Sequence, residues 1–202
     1  HYAKTFSKFS IFSIYSTALT IDIIFSTNMT AGLACQLERR ITMADEKNIG
    51  TPAEEENIEN IDTSQVKSMR GLFDTCTSLQ TIDVSSFNTT HVNNMENMFA
   101  YCNNLTQILG LEKLNTKKVE SMASMFYYCT NLQSLNLSNF DTSNVTNMGW
   151  MFCKCESLTS LDMISFNTSN VTNMESMFAH CRNLTEILNL EKFDTSKVEN
   201  MT

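Results

Sequence analysis

The sequence is poor in the residues and motifs that usually carry chemistry. Its 202 residues include five glycines, one proline, one tryptophan and three histidines. They contain no Gly-rich phosphate loop, no nucleophile elbow and no paired His and carboxylate spacing. No two cysteines stand in the C-x-x-C spacing that zinc sites usually use. We therefore expect no enzymatic activity, no metal and no other cofactor.

Positive charge is also scarce, since 14 basic residues face 22 acidic ones and the formal net charge is −8. This balance disfavours nucleic acid or an anionic membrane surface as the main partner. The apolar run from Phe9 to Phe25 contains Asp22 and is shorter than the roughly 20 clean apolar residues of a spanning helix. We expect membrane contact only through this leader or through an anchor outside the sequence.

A repeated pattern of 26 or 27 residues is present instead, and the stretch at 141–166 shows it most clearly. Self-similarity at a fixed period in this range is typical of stacked-repeat architectures. The copies open at Asp62, Asn88, Asn115, Asp141, Asn167 and Asp194. Apolar residues recur in step, in a Val column (from Val66), a Met column (from Met69), a Phe column (from Phe73) and a Cys column (from Cys76).

The spacing within one copy predicts a short helix followed by a short strand. Val145, Met148, Phe152 and Cys155 stand at i, i+3, i+7 and i+10, which is one face of a helix. The L-x-x-L-x-L spacing that ends at Met163 is typical of the strand of a leucine-rich repeat. One copy cannot bury its own apolar face, so the copies must stack. The predicted fold is an α/β repeat, a leucine-rich-repeat-like solenoid with one strand and one helix per coil.

The run V-x-x-M-x-x-M-F-x-x-C-x-x-L-x-x-L-x-L-x-x-F resembles the bacterial surface-protein 26-residue repeat, a relative of the BspA-like leucine-rich repeats. The resemblance covers residues 61–202, with five repeats and a truncated sixth. It implies a cell-surface or secreted protein that mediates adhesion or binds a partner protein. The alternative is a structural spacer or scaffold that carries another domain.

The residues before the repeats allow two interpretations. Residues 1–42 resemble a secretory signal, or they are upstream sequence in front of an ordinary start at Met43. The second interpretation implies a cytoplasmic protein. Residues 43–60 are acidic and lack periodicity, so we expect an unstructured leader. The last repeat stops within its helical pattern, which predicts a fragment of a longer protein.

Polar strand positions that point away from the core form the candidate binding face. Leucine-rich arrays commonly bind along their strand-lined face. This face is polar, mildly acidic and almost free of aromatic residues, so it is either a weak or multivalent protein-binding surface or plain solvated surface. The candidate residues are Thr81, Asp83, Gln107, Ser134, Asn136, Ser160, Asp162 and Glu186.

Three further columns have structural interpretations. We expect the Cys column to be buried free thiols, whereas Cys153 should face outward and is the best candidate for a reactive thiol. The opening Asp/Asn column should make capping or turn hydrogen bonds rather than a calcium ladder, because half of it is uncharged. The regular Thr column from Thr63 to Thr195 is more simply a turn motif than an ice-binding face.

Overall fold

The computed structural model describes residues 62–202, so the predictions for residues 1–42 and 43–60 lie outside the described residues. Within them we call each repeat a coil, numbered 1 to 6 from its opening Asp or Asn. The regular elements are four strands, β1 (Thr81–Asp83), β2 (Gln107–Leu109), β3 (Ser160–Asp162) and β4 (Glu186–Leu188), and two 3₁₀ helices (Leu111–Lys113 and Leu190–Lys192).

Equivalent parts of neighbouring coils lie side by side. β1 pairs with β2 in parallel, with Thr81 opposite Gln107, and β3 pairs with β4 in parallel, with Ser160 opposite Glu186. A second column of single-residue parallel bridges connects all six coils, through Ser68, Asn94, Ser121, Asn147, Asn173 and Asn200. The predicted repeat register of 26 and 27 residues is confirmed.

The apolar columns form one continuous core. The Val, Met and Phe columns are buried in coils 1 to 4, as predicted, whereas Phe178 and Val198 are partly buried and Met201 is 57% exposed. The Phe rings stack from coil to coil, with centroids 5.4 Å apart between Phe73 and Phe99 and 5.7 Å apart between Phe126 and Phe152. Ring planes in this stack differ by less than ten degrees. Each coil thus buries its apolar surface against the next one.

The predicted helix from Val145 to Cys155 is wrong, and no α-helix occurs in residues 62–202. The stretch from Met148 to Cys155, which we call the turn run, is a series of turns. Alternate amides bond within the coil, for example Met151 N–H to the Met148 carbonyl at 3.2 Å. The amides between them donate to coil 5: Met148 to Asn173, Trp150 to Glu175, Phe152 to Met177 and Lys154 to Ala179. A helix would use these amides internally.

Left-handed backbone makes the turn run possible. Trp150 has φ 55° and Lys154 has φ 62°, each at the third position of a four-residue turn. A positive φ at that position defines a type II turn and usually calls for glycine. Equivalent residues in the other coils repeat this conformation. Consecutive turns of this kind place inward side chains at i, i+3 and i+7, which is the spacing that indicated a helix.

The turn from Met122 to Met125 provides a test of this backbone. We expect Ser124→Gly to raise the free energy of unfolding by about 0.5–1 kcal/mol, because Ser124 has φ 56° and a left-handed L-residue costs about 1–2 kcal/mol. Ala123→Gly, one residue earlier at negative φ, should lower it by about 0.4–1 kcal/mol. Urea denaturation measures both, and a helix would instead be weakened by both substitutions.

The extra residue of each 27-residue coil is a single left-handed residue. Gly110 (φ 73°) and Asn189 (φ 63°) lie between a strand and a 3₁₀ helix and have no counterpart in the 26-residue coils. In coil 3, after the first insertion, Ser134 and Asn136 form no strand. The prediction of one strand per coil is therefore wrong for coil 3, because its residues 134–136 join neither ladder: β2 pairs only with β1, and β3 pairs only with β4.

Candidate functional site

The strand positions predicted to bind a partner form two patches rather than one continuous face. Thr81, Gln107, Ser160 and Glu186 are exposed, as are Ser134, Asn136 and Asp162, and Asp83 is partly exposed. The first patch lies on β1 and β2, and the second lies on β3 and β4. Ser134 and Asn136 belong to coil 3, between the two strand pairs. The structure thus brings six of the candidates together on two strand pairs and leaves Ser134 and Asn136 between them.

The two aspartates of these patches are held in place by local hydrogen bonds. Asp83 accepts the Ser85 amide at 2.8 Å, and the Ser85 amide and hydroxyl lower the pKa of this carboxyl. Asp162 accepts the Ile164 amide at 3.0 Å and the Asn189 side-chain amide at 2.7 Å. Both carboxylates are fixed in orientation and remain accessible to a partner.

Sequence reasoning missed an exposed leucine in each patch. Leu109 ends β2 opposite Asp83, and Leu188 ends β4 opposite Asp162; each side chain is 44% exposed. Alternation along a strand could have found both, because each lies two residues after an outward polar residue. Each patch consequently combines one apolar side chain with one carboxylate.

The Cys column is buried in coils 1 to 4, as predicted, whereas Cys181 of coil 5 is partly exposed, and all five thiols are free. Each thiol from coil 2 onward donates to a Phe carbonyl, as Cys155 Sγ does to Phe126 at 3.1 Å. Burial raises the pKa of Cys155 and of Cys129 well above the ordinary value, and that of Cys181 to about 11. These groups are thiols rather than thiolates at neutral pH.

The prediction for Cys153 is wrong. This residue is only 5% exposed, and burial raises the pKa of its thiol. In a helix, residues two apart lie on different sides, so the predicted helix puts Cys153 outward from the buried Cys155. The turn run is not helical, and both residues are buried. Cys153 does not belong to the Cys column, but it packs inside the protein as the buried members of that column do.

Thiol labelling can test this assignment. In a Cys35→Ser background, native protein at pH 8 should react slowly with an aromatic disulfide reagent, and Cys153→Ser should leave the early phase unchanged. Even Cys181, with its pKa of about 11, is ionised in only about one molecule in a thousand at that pH. A fast phase of one thiol that Cys153→Ser removes would contradict the buried position.

The opening Asp/Asn column makes the predicted turn hydrogen bonds. Each side-chain oxygen accepts the amide two residues later, as Asp141 does from Ser143 at 3.0 Å and Asn167 from Ser169 at 3.1 Å. Such Asx turns stabilise the start of each coil. Within residues 62–202 there is no cluster of three or more His, Cys, Asp or Glu residues suited to a metal ion.

The Thr column lies inside the protein rather than on a face. Thr63, Thr89, Thr116, Thr142 and Thr168 are buried. Each hydroxyl donates to the carbonyl of the opening residue of the next coil, and in four of the five it also accepts that residue's amide. Burial excludes an ice-binding role for these five residues, and the turn-motif interpretation misses their function as clamps between coils.

Asp74 carries a buried carboxylate oxygen, Oδ1, that has no hydrogen-bond partner, and burial raises the pKa of this group. A carboxyl with a raised folded pKa favours folding below its unfolded pKa, and this contribution is lost as the pH rises through the folded pKa. We expect Asp74→Asn to raise the melting temperature at pH 7 and to leave it unchanged near pH 3.

Asp141→Asn is the matched control, because hydrogen bonds from the Ser143 hydroxyl and amide lower the pKa of Asp141. That contribution is present above the unfolded pKa and is lost as the pH falls. The control should therefore lower the melting temperature slightly at pH 7 and have no effect in strong acid. Equal effects of the two substitutions at pH 7 would contradict the assignment.

In residues 62–202 no helix is long and apolar enough to cross a bilayer.

Comparison with known proteins places the chain in a repeat family. The solved structure of the T. pallidum leucine rich repeat protein (TpLRR) is similar at 18% identity, over 65% of this chain and 67% of that chain, with a TM-score of 0.41. None of the curated proteins compared with the chain matches it.

A family model described as "Mycoplasma protein of unknown function, DUF285" matches residues 49–132 and 103–202. The two matches overlap and together span residues 49–202, which is more than half of the chain. They include all the coils described above. The chain therefore belongs to the DUF285 family, a repeat family of unknown function.

Proposed function

We propose that this chain is a non-enzymatic protein-binding module of the BspA-like surface-repeat type, whose coils stack as a solenoid. The observation that supports this proposal most is the duplication of the patch that contains a leucine and an aspartate. Leu109 lies beside Asp83, and Leu188 lies beside Asp162 in the same strand register. The array presents the same combination of side chains twice, in register with its own period.

The chemistry of the patches suits a partner protein. A partly exposed leucine provides an apolar anchor, and a fixed carboxylate provides orientation and charge selectivity. One such patch is small, and its affinity alone would be weak. Two patches on one framework raise the effective concentration of the second contact once the first has formed. We therefore expect a partner that carries repeated or paired basic sites.

Site-specific photo-crosslinking in the source cells tests this function. A photoreactive residue at Gln107 or Ser160 should give one discrete cross-linked product, since both positions are exposed within the patches. The same group at exposed Lys117, on the opening turn of coil 3, is the matched control and should not give it. Asp83→Lys combined with Asp162→Lys should abolish the product. A product that survives this double reversal would refute binding at the patches.

A structural spacer is the second candidate, and the continuity of the array favours it. The Phe stack and the column of parallel bridges extend across coil 3, where the strand pairs are interrupted. A spacer predicts indifference to the double charge reversal and sensitivity to deletion of a whole three-coil block. Protease shaving of intact cells adds the location: release of repeat peptides supports surface display, and their absence supports a cytoplasmic scaffold.

A further inference from the structure

Aromatic residues gather on a second surface, away from the strands. Among residues 62–202, Tyr101, Tyr127, Tyr128 and Trp150 are the complete set of tyrosine and tryptophan. All four lie in the turn runs of three consecutive coils, 2, 3 and 4. Tyr101 is 41% exposed, and the other three are partly exposed. Tyrosine and tryptophan are the residues most enriched at the energetic centres of protein interfaces.

The tyrosines and Lys154 form an ordered cluster, which we call the aromatic patch. Tyr128 of coil 3 lies between Tyr101 of coil 2, at 5.3 Å between ring centroids, and Lys154 of coil 4, whose Nζ is 4.1 Å from the Tyr128 centroid. The Lys154 ammonium also donates to the Tyr128 hydroxyl. Tyr127 meets both other rings edge to face, at 5.2 and 5.0 Å. The patch is therefore preorganised, which lowers the entropic cost of binding.

Its backbone conformation is costly for these residue types. Tyr101, Tyr128 and Lys154 all have positive φ, between 58° and 62°. A left-handed L-residue costs about 1–2 kcal/mol, and glycine or asparagine would be cheaper. Coils 1 and 2 do use Gly71 and Asn97 at the equivalent position of the earlier turn. The coil backbone imposes this conformation at the same position in coils 1 to 5, including Thr75 and His180, and coils 2, 3 and 4 place the residues of the aromatic patch there despite its cost.

Charge singles out the same surface. In the equivalent stretches 97–105, 124–132 and 150–158, Lys154 and Glu156 are the only charged residues, and Glu156 lies 3.8 Å from Arg182 of coil 5, although the whole chain carries a net charge of −8. Depletion of charge around aromatic residues is typical of interface cores. Tyr128 contacts Tyr101, Tyr127 and Lys154, so the patch offers a partner the exposed surface of Tyr101 and the remaining N–H groups of the Lys154 ammonium. The patch is thus locally electropositive within an acidic protein.

We propose that the aromatic patch is a docking surface for a protein segment that presents a carboxylate next to apolar side chains. The apolar side chains pack against Tyr101 and Tyr127, and the carboxylate pairs with the Lys154 ammonium. This surface is separate from the strand patches, so it can bind such a segment whether or not the strand patches bind a partner. Anionic vesicles and nucleic acid share the negative charge of such a segment but not its apolar side chains. Preferential binding of either one would therefore contradict the proposal.

Defined peptides test the proposal on the full-length chain. The probe is a fluorescein-labelled 12-residue peptide that alternates Glu with Leu and Ser, and its counterpart has Lys in place of every Glu. We expect saturable anisotropy with the Glu peptide, at least tenfold weaker binding in Tyr101→Ala, and a preference for the Lys peptide in Lys154→Glu. Lys118→Glu, at an exposed lysine outside the patch, should bind like the unaltered protein.

Further controls separate the outcomes. Asp162→Lys should leave peptide binding unchanged, so failure of the strand patches and failure of the aromatic patch are distinguishable. Thermal melting of each variant establishes that it is folded. The proposal is overturned by equal binding of both peptides, by no binding up to 1 mM peptide, by binding that Tyr101→Ala and Lys154→Glu leave unchanged, or by capture of anionic vesicles or oligonucleotides in preference to the Glu peptide.

Discussion

Replacing Thr142 by valine should lower the free energy of unfolding by about 2–4 kcal/mol. The Thr142 hydroxyl is fully buried, donates to the Asn167 carbonyl at 2.9 Å and accepts the Asn167 amide at 2.8 Å. Valine keeps the shape of the side chain and removes both hydrogen bonds. Two backbone groups of Asn167 in the next coil then lose their partner, and a group that water cannot reach costs about 1–3 kcal/mol.

Thr146→Val in the same coil is the matched control. Thr146 is exposed, and water can replace its single hydrogen bond to the Glu120 carbonyl. We expect a change within about 0.5 kcal/mol. Urea denaturation followed by the fluorescence of Trp150, the only tryptophan, reports on this coil directly. Similar losses for the two valine variants would mean that the buried hydroxyl does not act as a clamp.

Replacing Gly110 by alanine should lower the free energy of unfolding by about 2 kcal/mol or more. Gly110 has φ 73°, which alone costs an L-residue about 1–2 kcal/mol. An added Cβ would also lie 2.5 Å from both the backbone nitrogen and the Cα of Ser85 in the preceding coil. Backbone atoms cannot move aside as a flexible side chain can, so coils 1 and 2 would have to separate.

Two comparisons isolate the causes of this loss. Gly149→Ala should cost less, because Gly149 has no left-handed φ and the three nearest atoms to its Cβ would be side-chain atoms of Asn147 and Asn173, at 3.1–3.3 Å. Gly110→Asn relieves part of the conformational cost, since asparagine tolerates left-handed backbone, as Asn189 does here. It should still be destabilised by the contact with Ser85. Full stability in Gly110→Ala would show that the coils are not packed at this point.

The repeat register and the core could be predicted from the sequence, whereas the local backbone could not. The Val, Met, Phe and Cys columns report directly on burial, and their members in coils 1 to 4 are buried as predicted, whereas Cys181 is partly exposed and Met201 is exposed. The spacing of Val145, Met148 and Phe152 fits a helix and a run of type II turns equally well. The positive φ angles of Trp150 and Lys154 distinguish the turns from a helix. Neither residue type favours positive φ, so the sequence gives no sign of this conformation.

The candidate site could be predicted only in part, because the positions of its side chains also depend on the local backbone. The exposed strand positions followed from alternation, which would also have identified Leu109 and Leu188 if applied to apolar residues. Cys153 was misplaced because the helix was assumed. The aromatic patch depends on Tyr101, Tyr128 and Lys154 becoming neighbours across coils 2, 3 and 4, and on the left-handed backbone that holds them. That grouping required the structure.

The backbone amides of the turn runs that bond to another coil all donate in one direction along the array, whereas other bonds, such as Cys102 Sγ to the Phe73 carbonyl and Glu120 N–H to the Asn93 carbonyl, run the opposite way. Each coil donates its free amides to the coil that follows, from Met69 to Asn94 in the first coil through to Met174 to Asn200 in the fifth. The turn run of each coil therefore presents amide donors to the next coil and carbonyl acceptors to the preceding one. An inverted coil would set amide against amide along this run. Added repeats must therefore keep the same chain direction as the coils already in the array.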